Sequence, residues 1–139
     1  MARLSVSGAA ELQLSHEQLA ALPDSLLDSM LDAEADVVER AQKAKGEAYG
    51  VHRTGMTLSS IKRGKKRRTK DGRAVDVAPQ GKNARGNRNA EVAFLNEYGM
   101  PKRGIAPRPF IRDANEECAD EAVAAAEKVY DDYLKKKGL

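Results

Sequence analysis

The sequence predicts an α+β protein in which an antiparallel sheet packs against an N-terminal helical segment and a long C-terminal helix. Two long stretches, 24–48 and 110–136, repeat apolar residues at helical spacing. Between them, short alternating segments surround an Asp71-Gly72 pair, which is typical of a hairpin turn. The 139 residues, 41% of them hydrophobic, are enough for one core, so we expect a single domain over 1–139.

The N-terminal part predicts a short strand followed by a brief helix. Residues 3–7 alternate in polarity, as a half-buried strand does. Ser15 and Gln18 have the spacing of a capping box, which predicts a helix that Pro23 stops. No apolar run suggests a signal peptide or a membrane span, so a soluble intracellular product is expected.

A longer helix is expected from an Asp24 cap to about Ala48, with Gly46 and Gly50 marking a frayed end. Its apolar positions recur every three or four residues: Leu27, Met30, Leu31, Val37, Val38, Ala41, Ala44 and Ala48.

The middle of the chain predicts strands and loops. Residues 54–61 are rich in hydroxyl and branched side chains and are expected to be β-like. Residues 80–90 lack apolar periodicity and predict a loop. Asn89 is then expected to cap a short helix that buries Val92, Leu95 and Tyr98 and ends at Gly99.

The hairpin prediction has a consequence for the basic residues of this region. An Asp71-Gly72 turn places Arg68 opposite Val75 and Lys66 opposite Val77. The outer part, 62–73, is therefore expected to project as a basic arm whose long cationic stems cover the valines.

The last helix is expected from about Phe110 to Lys136, long enough to span the domain. One stripe along it is apolar: Phe110, Ala114, Cys118, Ala122, Ala125, Val129 and Tyr133.

Charge is strongly segregated along the chain. Residues 1–50 carry a net charge of −5, residues 51–112 a net +12 and residues 113–139 a net −4. Such polarity favours head-to-tail contact between copies, or contact with a polyanion.

Catalytic and metal-binding patterns are not found. His16 and His52 have no second ligand at metal-binding spacing. Gly81 and Gly86 have the glycine spacing of a phosphate loop, but no Lys-Ser or Lys-Thr follows. Cys118, on the apolar stripe, is expected to be an inert buried thiol. We therefore expect a non-enzymatic protein without a cofactor or a metal ion.

One run of six cations in seven residues remains to be explained: Lys62, Arg63, Lys65, Lys66, Arg67 and Arg68. It is either a solvated or protein-facing arm, or a surface that binds nucleic acid through phosphates without reading sequence. The absence of interleaved aromatic residues argues against stacking on single-stranded bases.

Three short motifs, in order, resemble those of a known family. A Thr-Gly-x-Leu-x-x-Ser-Ile pattern falls on Thr54, Gly55, Ser60 and Ile61. A Glu-aromatic-Gly-Thr pattern falls on Glu97, Tyr98 and Gly99, and a Pro-Phe-Leu-x-x-Ala pattern on Pro109, Phe110, Ile111 and Ala114. Thr57 replaces the usual Leu, Met100 the usual Thr, and Asp113 stands where Pro is common. The chain thus resembles the small head–tail joining or tail-completion (neck) proteins of tailed bacteriophages, of the HK-ninety-seven gene-product-ten type.

The resemblance implies a virion component, assembled in the host cytoplasm, that packs near the head–tail junction as a ring, with a hexamer as the expected stoichiometry. Its implied partners are copies of itself and other neck, connector or tail proteins, with non-specific contact to DNA in the channel left open and no membrane involved. Neck adaptor and tail terminator are both compatible with the motifs. In such a ring the acidic helix of one copy is expected to meet the basic arm of the next.

Overall fold

The computed structural model describes residues 2–6, 10–14, 22–51, 55–70 and 72–138, and side chains of β1 and β2 only at Val6. Four helices are present in these ranges: α1 (Asp24–Ala48), α2 (Met56–Ser59), α3 (Asn89–Tyr98) and α4 (Phe110–Lys136). A single 3₁₀ turn, Pro101–Arg103, lies between α3 and α4. The two long helices pack along each other and form the largest interface of the fold.

Six short strands complete the described fold: β1 (Ala2–Val6), β2 (Ala10–Leu14), β3 (Ile61–Arg63), β4 (Arg67–Thr69), β5 (Gly72–Val75) and β6 (Val77–Pro79). They form a four-stranded sheet in the order β2-β1-β5-β4 and a separate pair, β3-β6. The α+β class is confirmed. All pairings are antiparallel except that of β1 with β5, so the larger sheet is mixed.

Both long helices have the predicted bounds, because each has a sustained apolar stripe. The cap of α1 differs from the prediction: Pro23 is the N-cap residue, and Asp24 lies in the first turn, where a carboxylate favours the helix dipole. Gly46 is not a frayed end but a buried contact. A Cβ there would lie 2.3 Å from Leu58 Cδ2 and 3.2 Å from Phe110 Cδ2.

The predicted hairpin register is wrong by two residues. Thr69 pairs with Gly72, so Gly72 is the first residue of β5 and not part of the turn. Val75 is fully buried and Val77 nearly so. The prediction that cationic stems cover these valines is therefore also wrong. Val75 lies on β5, an interior strand because β1 pairs along its other edge, and Val77 lies on β6, which pairs with β3.

Two further segments differ locally from expectation. Residues 56–59 form one helical turn rather than strand, and β structure begins only at Ile61. In α3 the buried side is formed by Asn89 and Ala93, while Leu95 and Tyr98 face outward. The helix predicted from Ser15 and Gln18 lies outside the described residues.

Small residues allow the two long helices to approach closely. Fully or nearly fully buried positions on α4 are Phe110, Ala114, Cys118, Ala122 and Ala126. Ala125, Val129 and Tyr133 of the predicted stripe are partly buried against the core, and Ala126, which was not predicted, is fully buried. Phe110 is the largest fully buried side chain and lies where α1, α2 and α4 converge.

Candidate functional site

Glu97, in the second motif, caps the long C-terminal helix. Its carboxylate accepts hydrogen bonds from the backbone N–H groups of Ile111 and Arg112, each at 3.0 Å. These N–H groups lie in the first turn of α4 and have no partner within the helix. The carboxylate also lies at the positive end of the helix dipole. Glu97 therefore joins the second motif to the third.

Gly99 and Phe110 serve the same junction. Gly99 ends α3 with a φ of +73°, and a Cβ at this position would lie 2.6 Å from Ile105 O. Only glycine fits such a close backbone approach at positive φ. Pro109 is the N-cap residue of α4 and Phe110 is fully buried. These three motif residues therefore hold the fold.

A second set of contacts ties α1 to this junction. Arg108 donates to Asn96 Oδ1 at 2.6 Å and to the carbonyl of Gly50 at 3.1 Å. The Tyr49 hydroxyl donates to Asp113 Oδ2 at 2.5 Å. This hydrogen bond is the main cause that lowers the pKa of Asp113 and raises that of Tyr49. Asp113 thus contacts the residue that follows α1.

The first motif also serves the fold where it is described. Gly55 is the N-cap residue of α2 with a φ of +71°, so it leads into a helical turn rather than directly into the sheet. Ser60 Oγ donates to the Thr57 carbonyl at 2.7 Å, and Ile61 is fully buried. Thr54 lies outside the described residues.

Tyr98 differs from its neighbours in the second motif, Glu97 and Gly99, because its side chain is exposed. Its side chain is 64% exposed, and that of Phe94, one turn earlier on α3, is 60% exposed. The two rings lie against each other with their centroids 4.7 Å apart. Leu95 and Ile105 are exposed nearby. We call these four residues, Phe94, Leu95, Tyr98 and Ile105, the aromatic patch.

An open groove of about 370 Å³ runs beside the aromatic patch. Leu95 and Ile105 belong to both, and Val92 and Met100 add further apolar surface. Arg85 and Arg108 supply the charge in the groove. Of the described residues that line it, none is a carboxylate or a histidine.

Four exposed cations lie in the segments that flank α3 and make no ion pair within the described residues: Lys82, Arg85, Lys102 and Arg103. Arg85 lines the groove with Leu95 and Ile105, and Lys102 and Arg103 form the turn between Met100 and Ile105. We call these four residues the basic rim. Neither the aromatic patch nor the rim was predicted from the sequence, although two aromatic residues four apart, Phe94 and Tyr98, were a readable signal.

The basic run at 62–68 is mostly neutralised by the chain itself. Carboxylates on α1 recur every four residues at Asp24, Asp28, Asp32 and Asp36, which places them along one side of the helix. They lie beside β3, β4 and β5. The ion pairs are Arg63 with Asp32, Asp36 and Glu39, Lys66 with Asp32, Arg68 with Asp24, and Arg73 with Asp28.

Arg63 is the centre of this network. Hydrogen bonds to Glu39 above all, with others to Asp36 and Asp32, raise its pKa. Burial raises the pKa of Asp32, but hydrogen bonds from Lys66 and Arg63 outweigh burial and leave that pKa lowered. Arg67 pairs with Asp76 at 3.0 Å. The run therefore lies against its own helix at Arg63 and Lys66 and does not project there.

Two cations of the run behave differently. Lys62 and Lys65 are exposed and make no ion pair with any described residue. They are the part of the run that is available to a partner.

Two further reactive groups of the described residues are buried. Burial raises the pKa of the Cys118 thiol. Glu34 is fully buried on α1, neither carboxylate oxygen has a hydrogen-bond partner among the described residues, and burial raises its pKa to about 8. Within the described ranges no group of three His, Cys, Asp or Glu could hold a metal ion. None of the helices described there is long and apolar enough to cross a membrane.

Comparison of the chain with protein-family models, with curated proteins and with solved structures gave no significant match. The function is therefore argued from the motifs of the sequence and from the geometry of the aromatic patch.

Proposed function

We propose that the chain is a non-enzymatic structural subunit of a bacteriophage virion, which completes the head–tail junction at the neck as one copy in a ring. The observation that carries the proposal is the exposed Phe94–Tyr98 pair. Tyr98 belongs to a motif whose other members cap or tighten the fold, whereas Tyr98 is left to solvent.

Large exposed aromatic side chains beside one another mark a contact surface. Aromatic residues are enriched at the centre of protein interfaces, where each can bury a large area. An isolated exposed Leu needs no explanation, but a contiguous aromatic and aliphatic surface does. The aromatic patch therefore supports assembly with another protein surface.

The contacts around the aromatic patch hold it in a fixed position, as a structural subunit requires. Glu97 fixes the start of α4, Gly99 fixes the turn before it, and Arg108 ties that turn to the end of α1. A 27-residue helix of about 40 Å then extends from this junction. The patch is thus held rigidly relative to the long helices, which limits the entropic cost of ordering it on binding.

Native mass spectrometry and electron microscopy of the purified protein test the proposal. We expect a closed oligomer, annular in projection, that forms whether or not a short DNA duplex is present. A protein that stays monomeric at about 100 μM would contradict the ring. Such a monomer should also fail to be incorporated into head–tail junctions when its gene is supplied to a phage that lacks its own neck component.

A second candidate function has one observation in its favour. Arg85 of the basic rim lines the same groove as Leu95 and Ile105 of the aromatic patch, and surfaces that bind single-stranded nucleic acid combine cations with stacking platforms. Under this alternative, nucleic acid would bind at the α3 region rather than at the 62–68 run. In the same experiment, a monomer that takes up an oligonucleotide would favour this function over the ring.

A further inference from the structure

We infer that the aromatic patch of one copy docks on the acidic face of α4 of the next copy, over the groove between α1 and α4. The inference rests on the proposed ring and names the two surfaces that would form its repeating contact.

Charge identifies the partner surface. The basic rim presents four cations without an ion pair among the described residues, so its partner should present free carboxylates. The acidic side of α1 does not qualify, because its carboxylates already pair with Arg63, Lys66, Arg68 and Arg73.

Helix α4 does qualify. Five of its carboxylates are exposed and make no ion pair within the part of the chain that is described: Glu116, Asp120, Glu121, Glu127 and Asp131. Helical spacing places Glu116, Asp120, Glu127 and Asp131 along one side of α4, and Glu121 lies at the edge of the groove between α1 and α4. The chain thus carries, on separate elements, a set of cations and a set of carboxylates without ion pairs to described residues. A second copy of this chain is the partner that matches both.

Shape identifies where on α4 the rings would lie. A depression of about 340 Å³ separates α1 from α4 on the surface. Short side chains line it, Ala41, Ala44, Ala48 and Ala114, and Glu117 and Glu121 lie on its α4 side. Lys45 on the α1 side pairs with Glu117, which leaves Glu121 as the carboxylate of this groove without an ion pair to a described residue. Phe94 and Tyr98 would lie on the alanines, with the basic rim toward Glu121.

The contact is of the head-to-tail kind. No residue of the aromatic patch lines the α1–α4 groove, so each copy can use its patch toward one neighbour and its groove toward the other. Such heterologous contacts close into a ring when the rotation between copies allows it. A two-fold dimer, in contrast, would pair a surface with itself.

A mixed disulfide tests the two surfaces directly. Tyr98→Cys and Ala44→Cys are made separately in a Cys118→Ala background and are mixed under mild oxidation. We expect the 98–44 mixed dimer to exceed, by at least about tenfold, the mixed dimer of Tyr98→Cys with the exposed control Lys62→Cys. Equal yields, or a dominant 98–98 homodimer, would overturn the inference.

Charge reversal separates this inference from the proposed function. Lys102→Glu/Arg103→Glu and Asp120→Lys/Glu121→Lys should each weaken self-association at least tenfold, and the four changes combined should restore it. If every variant still forms rings, this contact is wrong although the ring stands. If the mixed disulfide forms but no closed oligomer is seen, the contact stands and the ring is wrong.

Discussion

Neighbouring residues of one motif have different roles in this protein. Glu97 caps α4 through two backbone N–H groups, Gly99 permits a turn in which a Cβ would meet backbone, and Tyr98 between them contacts mainly Phe94 and solvent. The first two roles explain why the chain folds in this way. The fold does not explain why Tyr98 is exposed, and this is why we propose that Tyr98 contacts a partner.

The turn at Gly99 gives the first prediction. Gly99→Ala should destabilise the protein by at least about 3 kcal/mol, because a positive φ costs a non-glycine residue about 1–2 kcal/mol and the Cβ would also meet Ile105 O at 2.6 Å. Gly104 is the matched control: its φ is +67° but nothing lies within 4 Å of an added Cβ. Urea unfolding should show Gly104→Ala losing only about 1–2 kcal/mol. Equal losses for both variants would mean that the backbone near Ile105 moves away from the Cβ added at position 99 at no cost in stability.

Glu34 gives a prediction for the dependence of stability on pH. Burial raises its pKa from 4.5 to about 8, so the folded state keeps a proton that the unfolded state loses. The stabilisation is complete below about pH 4.5 and is lost as the pH rises to about 8, at up to about 1.4 kcal/mol per pH unit. We expect the free energy of unfolding, measured in urea at several pH values, to fall over this range.

Substitution isolates the contribution of Glu34 from those of other titrating groups. Glu34→Gln should flatten the fall between about pH 5 and pH 8, because the amide does not ionise there. Glu127→Gln, at an exposed position without an ion pair to a described residue, should leave the slope unchanged. A wild-type stability that is constant or rises from pH 5 to pH 8 would show that Glu34 is not buried as an acid.

At the scale of elements, the acidic side of α1 and the strands beside it act as one unit. Four aspartates at four-residue spacing meet cations from β3, β5 and the segment between β3 and β5. Exposed ion pairs contribute little singly, but Arg63 is only 28% exposed in its side chain and serves three carboxylates. The network therefore depends mainly on Arg63.

Replacement of Arg63 tests this dependence. Arg63→Met keeps the apolar stem but leaves Glu39, 19% exposed in its side chain, without its guanidinium partner. We expect a loss of about 2 kcal/mol in urea unfolding, in the range of hydrogen bonds to charged groups. Lys62→Met, the adjacent exposed residue of β3, should change stability by less than about 0.5 kcal/mol. A similar small effect for both would mean that the network contributes no net stability.

The sequence predicts the elements of this fold better than their pairing. Helices α1 and α4 were readable because their apolar period is local to each segment. The β4–β5 register was not, since the burial of Val75 depends on β1, which pairs with β5 from the far end of the chain. The exposed side of α3 was not predicted for a similar reason. Asn89 is buried and its Nδ2 donates to the Gln80 carbonyl, a contact that apolar periodicity does not show.

At the scale of the whole molecule, charge along the sequence and charge on the surface differ. The most basic run of the chain lies against the acidic side of α1, while the less conspicuous Lys82, Arg85, Lys102 and Arg103 remain unpaired with described residues. Part of the opposite charge of the acidic and basic segments is therefore paired within one copy. What remains for a neighbour is the basic rim on one side and α4 on the other.

The salt dependence of DNA binding measures how much of the basic run is available. Six free cations would give a slope of about −5 for the logarithm of duplex affinity against the logarithm of salt, and two free cations about −2. Because only Lys62 and Lys65 in the run lack an ion pair to a described residue, Lys62→Ser/Lys65→Ser should reduce the magnitude of the wild-type slope by about 2. Arg67→Ser/Arg68→Ser should reduce it by less, since both arginines already face carboxylates. Fluorescence anisotropy of a labelled duplex titrated at several salt concentrations gives each slope. A larger reduction for the arginine pair would show that DNA displaces the carboxylates of the chain, and would favour the nucleic-acid function over assembly.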